Sequence, residues 1–176
     1  MKDNIILIGM PGAGKSTIGV ILAKMLAMDF TDSDLVIQKK EGRSLSRILS
    51  DEGTDGFIEI ENRILSSLNL HNTVIATGGS AVYGGSAMKN LSAGGIVIYL
   101  RLSYECISAR LHDIRGRGVV LKDGQTLPDL YEERCVLYER YADLTIEEDG
   151  LSVEETLEKV MQELSEMQVT SAVLRA

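Results

Sequence analysis

The sequence predicts one α/β domain in three layers, with a five-stranded parallel sheet flanked by helices. Short apolar runs alternate with longer segments in which apolar residues recur at helical spacing. Runs so short and so uniformly apolar are typical of strands buried on both faces of a parallel sheet. A length of 176 residues suits a single domain of this kind. We therefore expect strands and helices to alternate through right-handed crossovers.

The individual elements follow from the same pattern. Strands are predicted at 5–8, 29–31, 73–76, 96–100 and 144–146, the second being the weakest candidate. Helical spacing covers 18–25, 57–68 and 157–164. Ser152 with Glu155 reads as a capping box that begins the last helix. Thr126 with Asp129, and Pro128 in the first turn, begins the helix before the last strand.

Composition excludes several classes of protein. The net charge of −8 is the opposite of what a nucleic-acid-binding protein usually carries. No run approaches the roughly 18 apolar residues of a membrane span, and the N-terminus lacks a secretory cleavage pattern. Cys106 and Cys135 have no close partner at metal spacing, so we expect reduced thiols. These observations predict a cytoplasmic protein without a membrane or nucleic-acid partner.

Two segments depart from the alternation of strands and helices. Residues 113–125 carry three glycines and, beyond the first Asp, four charged residues, so this segment can bury little. We interpret it as a mobile lid over a binding site. Residues 168–176 show no clear pattern and are expected to fray or to extend the last helix. The single domain would then span residues 1–176.

A phosphate-binding loop follows the first predicted strand. Residues 9–16 match the pattern G-x-x-x-x-G-K-[ST], and an amphipathic helix follows them. The glycines let successive backbone N–H groups face phosphate oxygens. Lys15 is expected to reach the β- and γ-phosphates, and Ser16 to ligate Mg²⁺. The alternative is a strand–turn–helix connection in which the glycines serve geometry alone, but such a turn has no need of Lys and Ser.

Two carboxylates stand directly after the second predicted strand. Asp32 and Asp34 would lie at the carboxyl edge of the sheet, where ligands bind in folds of this class. One carboxylate can support a magnesium ion while the other accepts the proton of an attacking hydroxyl. The alternative is that Asp32 or Ser33 only caps the next helix. An Asn-Lys-x-Asp guanine motif is absent, which argues against a switch GTPase.

The ordered set of motifs resembles the shikimate kinase family, within the nucleoside-monophosphate-kinase-like group of P-loop kinases. The resemblance covers about residues 3–165, and it rests on GMPGAGKST at 9–17, TDSD at 31–34, the stretch 51–61, ATGGS at 76–80, the glycine-flanked Arg117 and the stretch 130–143. It implies a P-loop kinase fold with a mobile lid, and ATP with Mg²⁺ as cofactors.

The resemblance also implies roles for individual residues. Asp34 would contact the acceptor hydroxyls and act as base, Asp32 would support Mg²⁺ with Ser16, and Arg117 would clamp the transferring phosphate. The acceptor would contact Asp34, the backbone of Gly78 and Gly79, and Arg134. The expected catalytic residues are Lys15, Asp34 and Arg117, and the expected nucleotide-binding residues are Gly9, Gly12, Ala13, Gly14, Lys15, Ser16, Thr17, Arg110 and Arg117, with Arg110 against the adenine.

From the residues alone, Arg134 has a second interpretation. It lies on a predicted helix among Glu132, Glu133 and Glu139, so a solvated surface ion pair is an open alternative to acceptor binding. Arg115 and Arg117 lie in the glycine-rich lid, where a closing loop can bring positive charge to a phosphoryl group.

Two positions depart from the family pattern on the acceptor side. Where the family carries an Arg that pairs with the carboxylate of shikimate, this chain has Ile58, and the third glycine of the family's GGG is Ser80. An Arg-to-Ile change removes a charge and up to two hydrogen bonds. Arg63 is one candidate to replace that arginine; alternatively Glu59 and Glu61 face an acceptor without an anionic group.

These observations predict an ATP-dependent small-molecule kinase, acting as a monomer, with the shikimate 3-hydroxyl as the default acceptor. A different polyol, a sugar acid or a nucleotide remains an alternative acceptor. An alternative from another class is a nucleotide-binding regulator that no longer transfers phosphate. The presence of Lys15, Ser16, Asp32 and Asp34 argues against that regulator.

Overall fold

The sheet matches the predicted architecture. The computed structural model describes residues 2–111, 119–122 and 124–167. Within these ranges one sheet has the order β2-β3-β1-β4-β5, and every neighbouring pair is parallel. All five predicted strands are confirmed, with bounds that differ by a residue at most: β1 Asn4–Ile8, β2 Asp29–Asp32, β3 Thr73–Ala76, β4 Gly95–Arg101 and β5 Leu144–Glu147.

Helices flank this sheet and complete the three layers. The described residues form α1 Lys15–Leu26, α2 Ser33–Glu41, α3 Leu45–Ser66, α4 Gly85–Gly94, α5 Tyr104–Arg110, α6 Leu127–Tyr141, α7 Val153–Glu166 and a short 3₁₀ helix Ala81–Tyr83. The predicted capping box of Ser152 and Glu155 is confirmed at the start of α7, and the predicted helix start at Thr126 is confirmed for α6, where Thr126 and Asp129 also form a capping box. None of these helices combines the length and the apolarity that a membrane crossing requires.

The core divides into two unequal parts. β1 is buried over its whole length, and the main apolar cluster surrounds β1, β3 and β4. A smaller cluster joins α2 and α3 to the end of the lid segment and consists of Ile37, Ile48, Phe57, Ile64 and Val120. Gly53 interrupts α3 with φ 70° and ψ −176°, so this element is two helical segments joined at a kink.

The topology gathers the functional loops at one edge. Because all five strands are parallel, the loops after β1, β2, β3 and β5 leave the same edge of the sheet. The predicted lid at 113–125 falls largely outside the described residues, and residues 168–176 fall wholly outside them. Cys106 and Cys135 are both free thiols, as predicted.

Candidate active site

The phosphate loop joins β1 to α1. Gly12 and Gly14 have φ of 82° and 86°, in the left-handed region that favours glycine. Gly9 begins the loop, and the backbone N–H of the buried Ala13 donates to the carbonyl of Met10 at 3.1 Å. The loop and the start of α1 together form a concave group of backbone N–H donors, which suits phosphate oxygens.

Lys15 is the first residue of α1 and lies against this loop. Its ammonium donates to the carbonyls of Gly9 and Met10, both at 2.8 Å, and only 8% of the residue is exposed. Burial lowers the pKa of Lys15 to about 8, although the neighbouring Asp34 carboxylate opposes the shift. Lys15 therefore places a cation at the mouth of the loop.

Asp32 connects the loop to the end of β2. The Ser16 hydroxyl donates to Asp32 Oδ2 at 2.7 Å, and the backbone N–H of Asp34 donates to Asp32 Oδ1 at 2.9 Å. Asp32 is therefore the N-cap of α2, as the capping alternative predicted, while its second oxygen faces the phosphate loop. The two interpretations of Asp32 are compatible. A hydroxyl and a carboxylate oxygen in contact are ligands that suit Mg²⁺.

Asp34 lies between the phosphate loop and the loop after β3. Burial is the main cause that raises its pKa to about 6; the Asp32 carboxylate adds to the shift, and Lys15 opposes it. A carboxyl group with such a pKa is ionised near neutral pH and still basic enough to accept a proton. Asp34 thus has the electrostatic setting expected of a general base.

The Gly78–Gly79 turn follows β3 and leaves no space for side chains. A Cβ atom on Gly79 would lie 2.8 Å from Pro11 Cδ and 2.9 Å from Arg134 Nη1. Two hydrogen bonds fix the turn: the Gly78 N–H donates to Ser33 Oγ at 2.9 Å, and the Tyr138 hydroxyl donates to the Gly79 carbonyl at 2.7 Å. The turn is therefore held from both sides and presents bare backbone.

Arg134 lies under the Gly78–Gly79 turn, and the surface ion-pair interpretation is wrong. Only 1% of the residue is exposed. Its Nη2 donates to the carbonyl of Val120 at 2.8 Å, its Nε donates to the Tyr83 hydroxyl at 3.4 Å, and its guanidinium lies 5.3 Å from the centre of the Tyr83 ring. A buried guanidinium held in this way can bind an anionic group with little loss of side-chain entropy.

A buried carboxyl group, Glu61, lies beside the Gly78–Gly79 turn. Its Oε2 accepts a hydrogen bond of 2.6 Å from the hydroxyl of Ser80. Ile58 is partly buried and packs against the small apolar cluster. Arg63 does not take the place of the missing arginine, because it pairs with Glu41 at 2.7 Å and 65% of its side chain is exposed. Glu59 is exposed and Glu61 is buried, so only Glu61 lies among the packed residues beside the turn.

Sequence reasoning missed a second buried carboxyl group, Glu148, which follows β5. Only 5% of the residue is exposed, and burial raises its pKa to about 7, against the opposing effects of Arg110 and Lys15. Arg110, at the end of α5, donates to the carbonyl of Gly12 at 3.1 Å and so lies beside the phosphate loop. The position of Glu148 directly after a strand of the sheet was the available signal.

A cleft of about 430 Å³ opens at this edge of the sheet. The phosphate loop, Asp32, Asp34 and the Gly78–Gly79 turn line it, and Ser16 and Thr17 lie exposed in the first turn of α1. The cleft thus joins a phosphate site, a pair of carboxylates and a rigid turn. The predicted lid residue Arg117 lies outside the described residues.

Known proteins share this sequence and this fold. The sequence profile of shikimate kinases matches residues 11–165. The shikimate kinase of Vibrio vulnificus (strain YJ016) is 39% identical over 94% of this chain and 98% of that protein. The chain belongs to the shikimate kinase family. The shikimate kinase of Haemophilus influenzae (strain PittEE) is 44% identical over 84% of each chain.

The structural comparison extends the family relationship to the fold. The shikimate kinase from Acinetobacter baumannii in complex with shikimate has a TM-score of 0.84 at 32% identity, over 95% of each chain. Members of the shikimate kinase family are phosphotransferases that use ATP and an alcohol acceptor. The predicted P-loop kinase fold and the predicted family are therefore confirmed.

Proposed function

We propose that this protein is an ATP-dependent shikimate kinase that phosphorylates the 3-hydroxyl of shikimate. The observation that carries the proposal is the convergence of Lys15, Asp34 and the Gly78–Gly79 turn on one cleft. Family membership supports the reaction type, and the related Acinetobacter enzyme was solved in complex with shikimate.

The nucleotide would bind at the phosphate loop. Backbone N–H groups from Gly12 to Ser16 would hold the β-phosphate, and the Lys15 ammonium would bridge the β- and γ-phosphates. Arg110 lies beside Gly12, where its guanidinium can pack on the adenine. Arg117 would bring a second cation to the γ-phosphate, as the family resemblance implies.

Magnesium would bind at Ser16 and Asp32. Their side-chain oxygens lie 2.7 Å apart at the exposed side of the loop. Protein sites for Mg²⁺ commonly use one or two side chains and complete the shell with phosphates and water, which fits this pair. Within the described ranges, His, Cys, Asp and Glu form no group of three or more that could hold a metal ion. When bound, the ion would offset the negative charge of the phosphates.

The chemical step would use Asp34 as base. The acceptor hydroxyl oxygen attacks the γ-phosphorus, the bond from that phosphorus to the bridging oxygen of ADP breaks, and the hydroxyl proton passes to Asp34. Arg134, fixed under the turn, would pair with the carboxylate of the acceptor. The backbone of Gly78 and Gly79 would fix the ring.

A different polyol or a sugar acid is the second candidate acceptor; Ile58 and Ser80 favour it, because they stand where the family pattern has an arginine and a glycine on the acceptor side. Shikimate-dependent release of ADP, with a phosphorus NMR signal of the phosphorylated product, would support the first proposal. Turnover with another cyclic polyol or sugar acid, and none with millimolar shikimate, would support the second. A failure of every acceptor to stimulate ADP release would favour the regulator.

A further inference from the structure

One carboxylate oxygen of Glu61 accepts a hydrogen bond, and the other has no hydrogen-bond partner among the described residues. Only 1% of the residue is exposed. Ser80 donates to Oε2 at 2.6 Å. Oε1 is also buried, and no group in the described part of the chain donates to it. An ionised carboxylate would leave this buried oxygen without a hydrogen bond, which is unfavourable. A proton on Oε1 removes the buried charge and leaves an O–H group that is free to donate.

The charged groups around Glu61 do not cancel the effect of burial on its pKa. Burial acts most strongly and raises its pKa to about 7; Asp34 on α2 adds to the shift, while Arg134 on α6 and Lys15 on α1 oppose it. None of these cations is among its hydrogen-bond partners. On α3 itself, Ile58 is apolar and Arg63 is turned to Glu41.

The unsatisfied oxygen lies behind Gly78, a residue of the turn that lines the cleft. A Cβ atom on Gly78 would lie 2.8 Å from Glu61 Oε1 and 2.7 Å from Asp34 Oδ1. Both oxygens therefore lie against the same glycine, beside the residue proposed to act as base. Gly79, the next residue of the turn, lies against the guanidinium of Arg134. Glu61 Oε1 is thus separated from the cleft by Gly78 alone, in the turn that the acceptor is proposed to contact.

We propose that Glu61 is a specificity-determining residue that binds the acceptor as a neutral carboxylic acid. Ser80 fixes Oε2, and the Oε1–H group donates a hydrogen bond to an oxygen of the acceptor. The site then binds a carboxylated polyol through the guanidinium of Arg134 and the acid proton of Glu61. The acid proton takes the place of a second guanidinium as hydrogen-bond donor. This inference rests on the proposed function for the identity of the acceptor, but not for the protonation of Glu61.

The first test is the pH dependence of the KM for shikimate in the wild type and in E61Q. The glutamine amide copies the size and the donor of the neutral acid but cannot ionise. We expect similar KM values near pH 6.5, and near pH 8.5 a KM that is at least about tenfold higher in the wild type than in E61Q. The ratio of the kcat values should change far less, and E132Q, which removes an exposed charge on α6, should follow the wild type.

Two results of the same KM measurements would contradict the proposal. If E61Q already raises the KM about tenfold near pH 6.5, the ionised carboxylate binds the acceptor and the proposal is wrong. A ratio of KM values that does not vary with pH also overturns it. The variant S80A should weaken the acceptor interaction at every pH, because Oε2 loses its donor; I58R should supply a cation that ionises Glu61 and so abolish the pH dependence.

A second test does not depend on turnover. Difference infrared spectroscopy of the wild type against E61Q near pH 6 should show a C=O stretching band of a protonated carboxylic acid that disappears above about pH 8. The absence of that band overturns the proposal whatever the acceptor is. If the band is present and shikimate gives no turnover, the proposed function fails while the protonation of Glu61 stands, so the two failures can be told apart.

Discussion

The Ser16 hydroxyl donates to Asp32 Oδ2 across 2.7 Å, which connects the first turn of α1 to the end of β2. The other oxygen of the same carboxylate accepts the backbone N–H of Asp34 and caps α2. One side chain therefore supports a helix and faces the proposed metal position. The two roles need different chemistry, because a cap needs only an oxygen acceptor, whereas Mg²⁺ binds a charged carboxylate more strongly than a neutral amide oxygen.

The variants D32N and D32A separate these roles. Asparagine still caps a helix, so D32N should unfold at the wild-type temperature while the Mg²⁺ concentration for half-maximal rate rises about tenfold. D32A should show the same loss for Mg²⁺ and also lose about 1 kcal/mol of stability. Thermal unfolding and magnesium titration of the rate measure the two effects. A D32N variant with an unchanged magnesium requirement would remove Asp32 from the metal site.

Lys15 is predicted to act on the nucleotide rather than on stability. We expect K15A to lower kcat/KM for ATP by about 100-fold or more, because the transition state loses a buried cation beside the transferring group. The matched control is K24A, which removes an exposed lysine from the same helix. Steady-state kinetics and ATP titration calorimetry provide the measurements. Equal kinetics for the two variants would contradict the assignment.

Local sequence patterns predicted the sheet and the phosphate loop. The strand runs, the helix starts at Thr126 and Ser152, and the G-x-x-x-x-G-K-[ST] pattern depend on residues close together in the chain. The structure confirms the strands, both helix starts and the strand–loop–helix connection around the glycines. Asp32 shows the limit of such reasoning, because the sequence left a helix cap and a metal ligand as alternatives. In the structure Asp32 caps α2 with one oxygen, and its other oxygen accepts a hydrogen bond from Ser16.

Contacts distant in sequence could not be predicted. Arg134 has three acidic residues nearby on its helix, so sequence favoured a surface pair almost as much as a buried role. Its partners, Val120 and Tyr83, come from other segments, and only the folded chain brings them together. The contact of Glu61 with Ser80 spans 19 residues and was invisible for the same reason.

The Gly78–Gly79 turn should matter for the acceptor alone. In G78A the new Cβ would lie 2.7 Å from Asp34 Oδ1, so the proposed base or the turn must move. We expect kcat/KM for the acceptor to fall about 100-fold while the affinity for ATP stays unchanged. The control is G85A, because a Cβ atom there meets nothing within 4 Å. A G78A enzyme with normal acceptor kinetics would place the acceptor elsewhere.

Arg134 should be sensitive even to a conservative change. Lysine keeps the positive charge of Arg134 but loses the planar pair of donors, so R134K should raise the KM for the acceptor about tenfold. R134M should raise it further and also cost about 1–3 kcal/mol of stability, since the Val120 carbonyl loses its donor. R140M, which removes an exposed arginine from α6, is the control. An R134K enzyme with the wild-type KM would contradict the role in acceptor binding.

Glu148 should make stability depend on pH. Its pKa is raised from 4.5 to about 7 in the folded protein, chiefly by burial. Between these values the folded state binds more protons than the unfolded state, so this group's contribution to stability falls as the pH rises through the window. Below this pH window the carboxyl group of Glu148 is neutral in both the folded and the unfolded protein. Above it the folded protein holds a buried negative charge, whose Oε2 has no hydrogen-bond partner among the described residues.

The variant E148Q tests this sign directly. Near pH 8 it should be more stable than the wild type by about 1–2 kcal/mol, which corresponds to an unfolding temperature a few degrees higher. Near pH 5 the two proteins should differ little, because the wild-type carboxyl is then protonated in the folded state. E158Q, which changes an exposed residue of α7, should match the wild type at both pH values. Urea unfolding at several pH values measures the difference. A variant that is less stable than the wild type near pH 8 would show instead that the ionised carboxylate of Glu148 stabilises the fold through Arg110 and Lys15.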